Sequence, residues 1–142
     1  MAQSVATNLL AFVIVLGFLI FAHESGHFMF AKLFRVRVLV FSFGFGKRLF
    51  GFRKGDTDYR VSLIPLGGYV RMAGDSPEEN VPGNPDEFLS KPKWQRFLIL
   101  VAGPAMNVLI AIVFIAAIVM VGIGTYLTHR IFGARAGSAF RV

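Results

Sequence analysis

His23-Glu24-Ser25-Gly26-His27 is a HExxH pattern. On a helix, residues four apart share a face, so both imidazoles can bind one zinc ion. Glu24 then lies about 100° around the helix from His23, close enough to act on a water at that metal. The chemistry this spacing suits is metal-assisted hydrolysis with a carboxylate base. The chain holds no cysteine and three histidines. Disulfides and thiolate metal sites are therefore excluded, and any metal is held by His and carboxylate. Three histidines are also too few for a di-iron oxygenase of the histidine-rich membrane type. The third, His129, falls roughly 30 Å or more from His27 by helix rise, and reads as an interfacial residue rather than a ligand. A second polar mark is Gly103-Pro104-Ala105-Met106-Asn107. Gly-Pro is expected to open a helix there and to thin it for close packing. The Asn107 amide, placed in an apolar stretch, needs a partner.

The elements that must position these groups are two apolar blocks. The chain has 142 residues, of which 55% are hydrophobic, 16 are Phe and only 8 are acidic. One block runs over 9–22 and, past a few polar residues, to Leu33; the other runs from Phe97 to Leu127. A helix of about 20 apolar residues crosses a bilayer, so two crossings are expected, joined by a long polar loop. Ionisable groups inside such a helix are costly and functional by default. Measured inward from Lys32, His27 and His23 lie about 8 and 13 Å deep. Measured inward from Arg96, Asn107 lies about 16 Å deep, so two antiparallel helices would bring it level with the histidines.

The net charge of +7 fits a membrane better than nucleic acid, because of where the cations fall. Lys32, Arg35 and Arg37 follow the first block; Lys91, Lys93 and Arg96 precede the second. This bias predicts a cytoplasmic loop over 35–96 and both termini outside. The first block lacks a basic n-region and a small-residue cleavage site, so it is expected to stay as an anchor. The fold class expected is a mainly α membrane protein: two transmembrane helices joined by a cytoplasmic-side loop with a membrane-associated β-hairpin or sheet.

Along the chain, 1–34 reads as the first transmembrane helix, 35–73 as the β-loop, 74–96 as a polar loop and interfacial segment, 97–127 as the second transmembrane helix and 128–142 as a short tail. Within the β-loop, Gly44-Phe45-Gly46 is expected to break the first strand. Lys47–Arg53 and Tyr59–Ile64 read as hairpin arms around residues 54–58, and Pro65 as the end of the second arm. Residues 74–93, rich in Pro, Asp, Glu, Asn and Gly, read as a solvent-exposed loop. Pro85 to Arg96 could lie along the membrane surface with Trp94 at headgroup level.

Four motifs in order, over roughly residues 8–127, give a more specific reading. Phe21-Ala-His-Glu-Ser-Gly-His27, Phe41-Ser-Phe-Gly-Phe-Gly46, Pro65-Leu-Gly-Gly-Tyr-Val-Arg-Met72 and Gly103-Pro-Ala-Met-Asn107 resemble those of the site-2 protease family, intramembrane zinc metalloproteases, and within it the bacterial members that contain a PDZ domain. The resemblance implies that His23 and His27 are zinc ligands, that Glu24 is the general base activating zinc-bound water, and that Asn107 helps position substrate. It implies a Zn2+ cofactor, transmembrane protein substrates with anti-sigma-factor-like or signal-peptide-like segments, a lipid bilayer as surroundings and no nucleic-acid partner. It also implies a multi-pass protein of the bacterial cytoplasmic (inner) membrane. A transmembrane helix must be unwound to be cut, and an exposed strand edge, expected at 59–64, could pair with the unwound stretch by β-augmentation.

The family completes its zinc site with an Asp from a later transmembrane helix, after one or more PDZ domains. These residues contain neither, so the sequence reads as the N-terminal part of such a protease. By itself the polypeptide is expected to bind zinc weakly and to cleave nothing. The alternative function is a non-catalytic membrane fragment that binds transmembrane clients or a full-length protease.

Overall fold

A computed structural model of the chain describes residues 2–76 and 83–138, with side chains described for 4–76 and 83–126. The elements run α1 (Ala2–Leu33), β1 (Val38–Lys54), β2 (Thr57–Met72) and α2 (Lys93–Ser138). The chain forms two compact units that divide between Asn107 and Val108. The first holds α1, the sheet and the start of α2. The second is the remainder of α2. The Ser4–Leu33 and Lys93–Tyr126 stretches are long and apolar enough to cross a membrane, with mean hydropathy 2.6 and 2.9.

α1 contains no proline and ends in a Schellman motif. Arg35 takes a left-handed φ of 56°. The Arg35 N–H donates to the Lys32 carbonyl at 3.0 Å and the Val36 N–H to the Ala31 carbonyl at 2.8 Å, which satisfies carbonyls the helix end would orphan. The apolar contact that accompanies this motif is present, since Ala31 and Val36 share the core. That core also takes Val38, Met72, Phe88 and Ile99, so it ties the end of α1 to the start of β1, the end of β2 and the start of α2.

The two strands are longer than the sequence suggests, because β1 pairs on both of its edges. Phe41 stands opposite Val70 on one side and Tyr59 on the other; Phe43 stands opposite Gly68 and Val61. The second half of β1 folds over to pair again with β2, through Phe50↔Val61, Phe52↔Tyr59 and Lys54↔Thr57. Laid side by side, the order is 48–54, 57–64, 38–45, 68–72. Gly44 and Gly46 therefore do not break β1. Their φ values of 93° and 83° bend it, which a glycine permits without steric cost. Pro65 does not end β2 either: it has no partner in the register, so its missing N–H costs no ladder bond. Within 59–64, residues 59–61 are flanked on both sides and are not an edge. The edges are 48–54 and 66–72, the latter paired inward over 68–72. The turn tightens to Gly55-Asp56, with Gly55 at φ 60°.

Within 84–92 the chain is exposed at Asn84, Pro85, Leu89, Ser90 and Pro92, as expected of a polar loop, but is tied down between them. The Arg37 N–H donates to the Asp86 carbonyl, the Phe88 N–H to the Ala73 carbonyl, and Phe88 and Glu87 are buried. Trp94 is exposed and packs edge-on against Phe34 at 5.5 Å. The part of the expected tail beyond Ser138 lies outside the described residues, as does the His129 side chain. α2 begins at Lys93, directly after Pro92, whose carbonyl accepts from Gln95 and Arg96. Gly103-Pro104 stands inside the helix, as expected.

Candidate active site

His23, Glu24 and His27 lie on α1 where it crosses the first turns of α2, within one compact unit. The contacts run His27 to Ile99, then Gly26 to Ala102, then His23 to Asn107, so the two helices cross antiparallel. Small residues make the crossing close. A Cβ built on Gly26 would overlap the Ala102 carbonyl. One built on Gly103 would lie 2.7 Å from His23 Nε2 and closer still to His27 Nε2. Both Nε2 atoms therefore converge on a single glycine face, with the rings 4.9 Å apart at 75°. Sequence spacing puts the histidines on one side of a helix, but only the crossing shows that Gly103 leaves room in front of them.

The other ring nitrogens are held from behind. His27 Nδ1 lies 2.7 Å from the Ile99 carbonyl, which can only accept, so Nδ1 carries the proton and Nε2 keeps its lone pair. Pro104 has no N–H to donate to the Leu100 carbonyl, so one i→i−4 bond is missing next to Ile99. His23 Nδ1 lies 3.4 Å from Asn107 Nδ2, while Asn107 Oδ1 is buried without a partner among the described residues. The two ends of an amide are interchangeable by rotation, and hydrogen bonding decides between them. With the oxygen turned inward, it accepts His23 Nδ1–H and leaves the His23 Nε2 lone pair free as well.

Glu24 faces the sheet. The Val70 N–H, on the 68–72 edge, donates to its carboxylate. Gly68 approaches so closely that a Cβ there would meet Glu24 Cγ at 2.9 Å. Neither Ile99 nor the Gly68–Val70 backbone was singled out by the sequence as part of this site, since main-chain groups leave no residue-type signal. Together these groups border a cleft of about 540 Å³, lined by His23, Glu24, Asn107 and by Leu66, Gly67 and Gly68 of β2.

The donor set fits zinc in part. Two imidazoles one helical turn apart, each with its Nδ1 proton engaged, are suited to adjacent positions of a tetrahedral ion. Among the described residues no group of three His, Cys, Asp or Glu could hold a metal, so the third protein ligand is not among them.

Comparison with known proteins identifies the family. The family described as Peptidase family M50 matches residues 11–140. The chain belongs to this family, the site-2 proteases. It is 45% identical over 100 residues to a Thermotoga maritima protein described as "Putative zinc metalloprotease", covering 69% of this chain and 20% of that one. A Helicobacter pylori protein with the same description is 44% identical over 104 residues, covering 70% of this chain and 30% of its own length. A third, from Ralstonia nicotianae, is 44% identical over 125 residues, covering 81% of this chain and 27% of its own length. The chain thus spans between a fifth and a third of the length of these M50 relatives.

Proposed function

We propose that this chain is the part of an intramembrane zinc metalloendopeptidase that carries two of its metal ligands, its general base and the edge on which substrate is laid out. The convergence of the two Nε2 atoms on Gly103, with both Nδ1 atoms held from behind, carries the reading. His23 and His27 hold the zinc, and a further protein ligand comes from outside the described residues. Bound zinc supplies a Lewis acid for the scissile carbonyl and lowers the pKa of water. Glu24, held by the Val70 N–H, takes the proton from the attacking water and returns it to the leaving amine. Asn107 fixes the His23 ring and presents the rest of its amide to the cleft, where it can hold a substrate carbonyl.

The substrates are membrane-spanning segments of other proteins, of the anti-sigma-factor or signal-peptide kind. A helical segment hides its peptide bonds, so it must be extended before it is cut. The edge at 66–72, beside Glu24 and bordering the cleft, is placed to pair with such an extended stretch by β-augmentation. This moves the pairing edge from 59–64, enclosed at 59–61, to 66–72. The protein sits in the bacterial cytoplasmic membrane, with both termini outside and 35–96 on the cytoplasmic side.

The assembled protein carrying these residues cleaves a model transmembrane substrate, and Glu24→Gln lowers that cleavage by about 10²–10⁴-fold while zinc uptake persists. Unchanged cleavage in the Glu24 variant would sink the assignment of the base. The polypeptide of residues 1–142, tested alone, binds zinc weakly and leaves the same substrate intact; turnover by it would show that two histidines suffice. A second reading, client binding without catalysis, is favoured by the intact 66–72 edge beside a two-ligand site. It requires crosslinking of a transmembrane client that survives Glu24→Gln but is lost when that edge is disrupted.

A further inference from the structure

The second half of β1 carries features that proteolysis does not use. In the register, Phe52, Tyr59 and Phe41 form one cross-strand row, and Phe50, Val61 and Phe43 form the next. These rings floor a cavity of about 380 Å³, with Phe21 of α1 standing against Phe41 as one wall. Its volume is that of a ligand site rather than a packing fault. The outer segment lies tight on its neighbour because residue 51 is glycine, where any Cβ would run into the Tyr59 carbonyl. Yet Phe50 and Phe52 stay 65% and 63% exposed, so among the described residues nothing closes the cavity on that side.

The chemistry around it selects an occupant. Segment 47–54 carries Lys47, Arg48, Arg53 and Lys54 and no acid. Arg48 and Arg60 share Asp58, at 3.1 and 3.8 Å, whereas Lys47, Arg53 and Lys54 pair with no carboxylate among the described residues. Between Phe50 and Lys54 the register is unbroken, so Phe50, Phe52 and Lys54 stand on one face of the strand. An apolar floor thus has one unneutralised cation, Lys54, on its own face at the hairpin tip, with Arg53 next to it in the chain. The cavity lies on the face of the sheet, and 58–61 beneath it pairs on both sides, so a peptide would find no backbone groups to bond there. An acyl chain needs none. Phe21, half exposed, belongs to the stretch of α1 apolar enough to cross a membrane, so a lipid tail can reach the cavity along that surface without meeting water.

We propose that this cavity binds one anionic phospholipid, with an acyl chain over the Phe50–Phe52 rings and the phosphate held at the hairpin tip by Lys54, with Arg53 beside it. Clustered cations beside an apolar membrane surface recognise anionic headgroups. The site would pin the hairpin to lipid of one charge, independently of whether the protein cuts peptides.

The test is lipid titration of the purified, delipidated chain in detergent, read by native mass spectrometry, with phosphatidylglycerol and phosphatidylcholine of identical acyl chains. One phosphatidylglycerol is expected to be retained at least tenfold more tightly than phosphatidylcholine. Arg53→Gln/Lys54→Gln should bring the two lipids level. Phe50→Ala/Phe52→Ala should weaken both at least tenfold, and Phe97→Ala, which removes an exposed ring on α2, should change neither. Equal retention of the two lipids by the unaltered chain would overturn the proposal, as would a loss in Phe97→Ala as large as in the hairpin variants. Should the hairpin variants misfold, Phe52→Trp in a Trp94→Phe chain gives a second reading. Its fluorescence is expected to be quenched by phosphatidylglycerol brominated on the acyl chain, and the absence of quenching rejects the site.

Discussion

Replacing Gly103 by alanine opposes two effects of different sign. In a helix interior, alanine is favoured over glycine by about 1 kcal/mol, so a glycine kept only for local reasons would yield a more stable protein on substitution. Here the added methyl would stand 2.7 Å from His23 Nε2 and nearer still to His27 Nε2. Neither ring can retreat freely, because His27 is anchored by the Ile99 carbonyl at 2.7 Å and His23 by Asn107 at 3.4 Å. Overpacking of this kind costs about 1–3 kcal/mol, which exceeds the propensity gain. Zinc must compete for the space that the methyl fills. At about 1.4 kcal/mol per tenfold, that strain corresponds to a loss of roughly 5- to 150-fold in zinc affinity. The assay is competition for zinc between the detergent-solubilised chain and a chelating dye, with His23→Ala/His27→Ala as the background and thermal unfolding measured in parallel. Wild-type zinc affinity together with raised stability in Gly103→Ala would refute the convergence of the imidazoles on this glycine.

Three further outcomes follow from the same geometry. Gly68→Ala should displace Glu24, whose Cγ lies 2.9 Å from the new Cβ, and lower cleavage by the assembled protein by about 10²-fold with zinc affinity unchanged. Asn107→Leu should weaken zinc binding by about 10- to 100-fold, measured in the same competition assay, because His23 Nδ1 loses its partner. Ser42 and Ser62 bond to each other at 3.0 Å in the sheet interior. Ser42 also donates to the Gly44 carbonyl at 2.9 Å, so Ser42→Ala, which leaves Ser62 unpaired, should cost about 1–3 kcal/mol in denaturant unfolding, Ser62→Ala less, and the double substitution less than the sum.

The sequence by itself determined the features that depend on helix periodicity. Two apolar stretches, the shared face of His23 and His27, and the level of Asn107 all follow from a fixed rise and turn per residue. The depth count placed Asn107 against His23, and in the structure the two side chains meet. The sheet was less legible. Gly44, Gly46 and Pro65 read locally as breaks, but whether a strand ends depends on what lies opposite. β1 gains partners on both edges, and no ladder bond is asked of Pro65. For the same reason the edge was misplaced at 59–64, which the returning half of β1 encloses at 59–61. Glu87 and Phe88 sit in a stretch of polar composition and were read as exposed, yet they are buried against the strand ends. What the tertiary structure alone decided is how the site is finished: Gly103 facing two nitrogens, the Ile99 carbonyl behind one ring and the Val70 N–H on the base. These are contacts between distant backbone atoms, and backbone atoms are the same at every residue, so no pattern of residue types announces them.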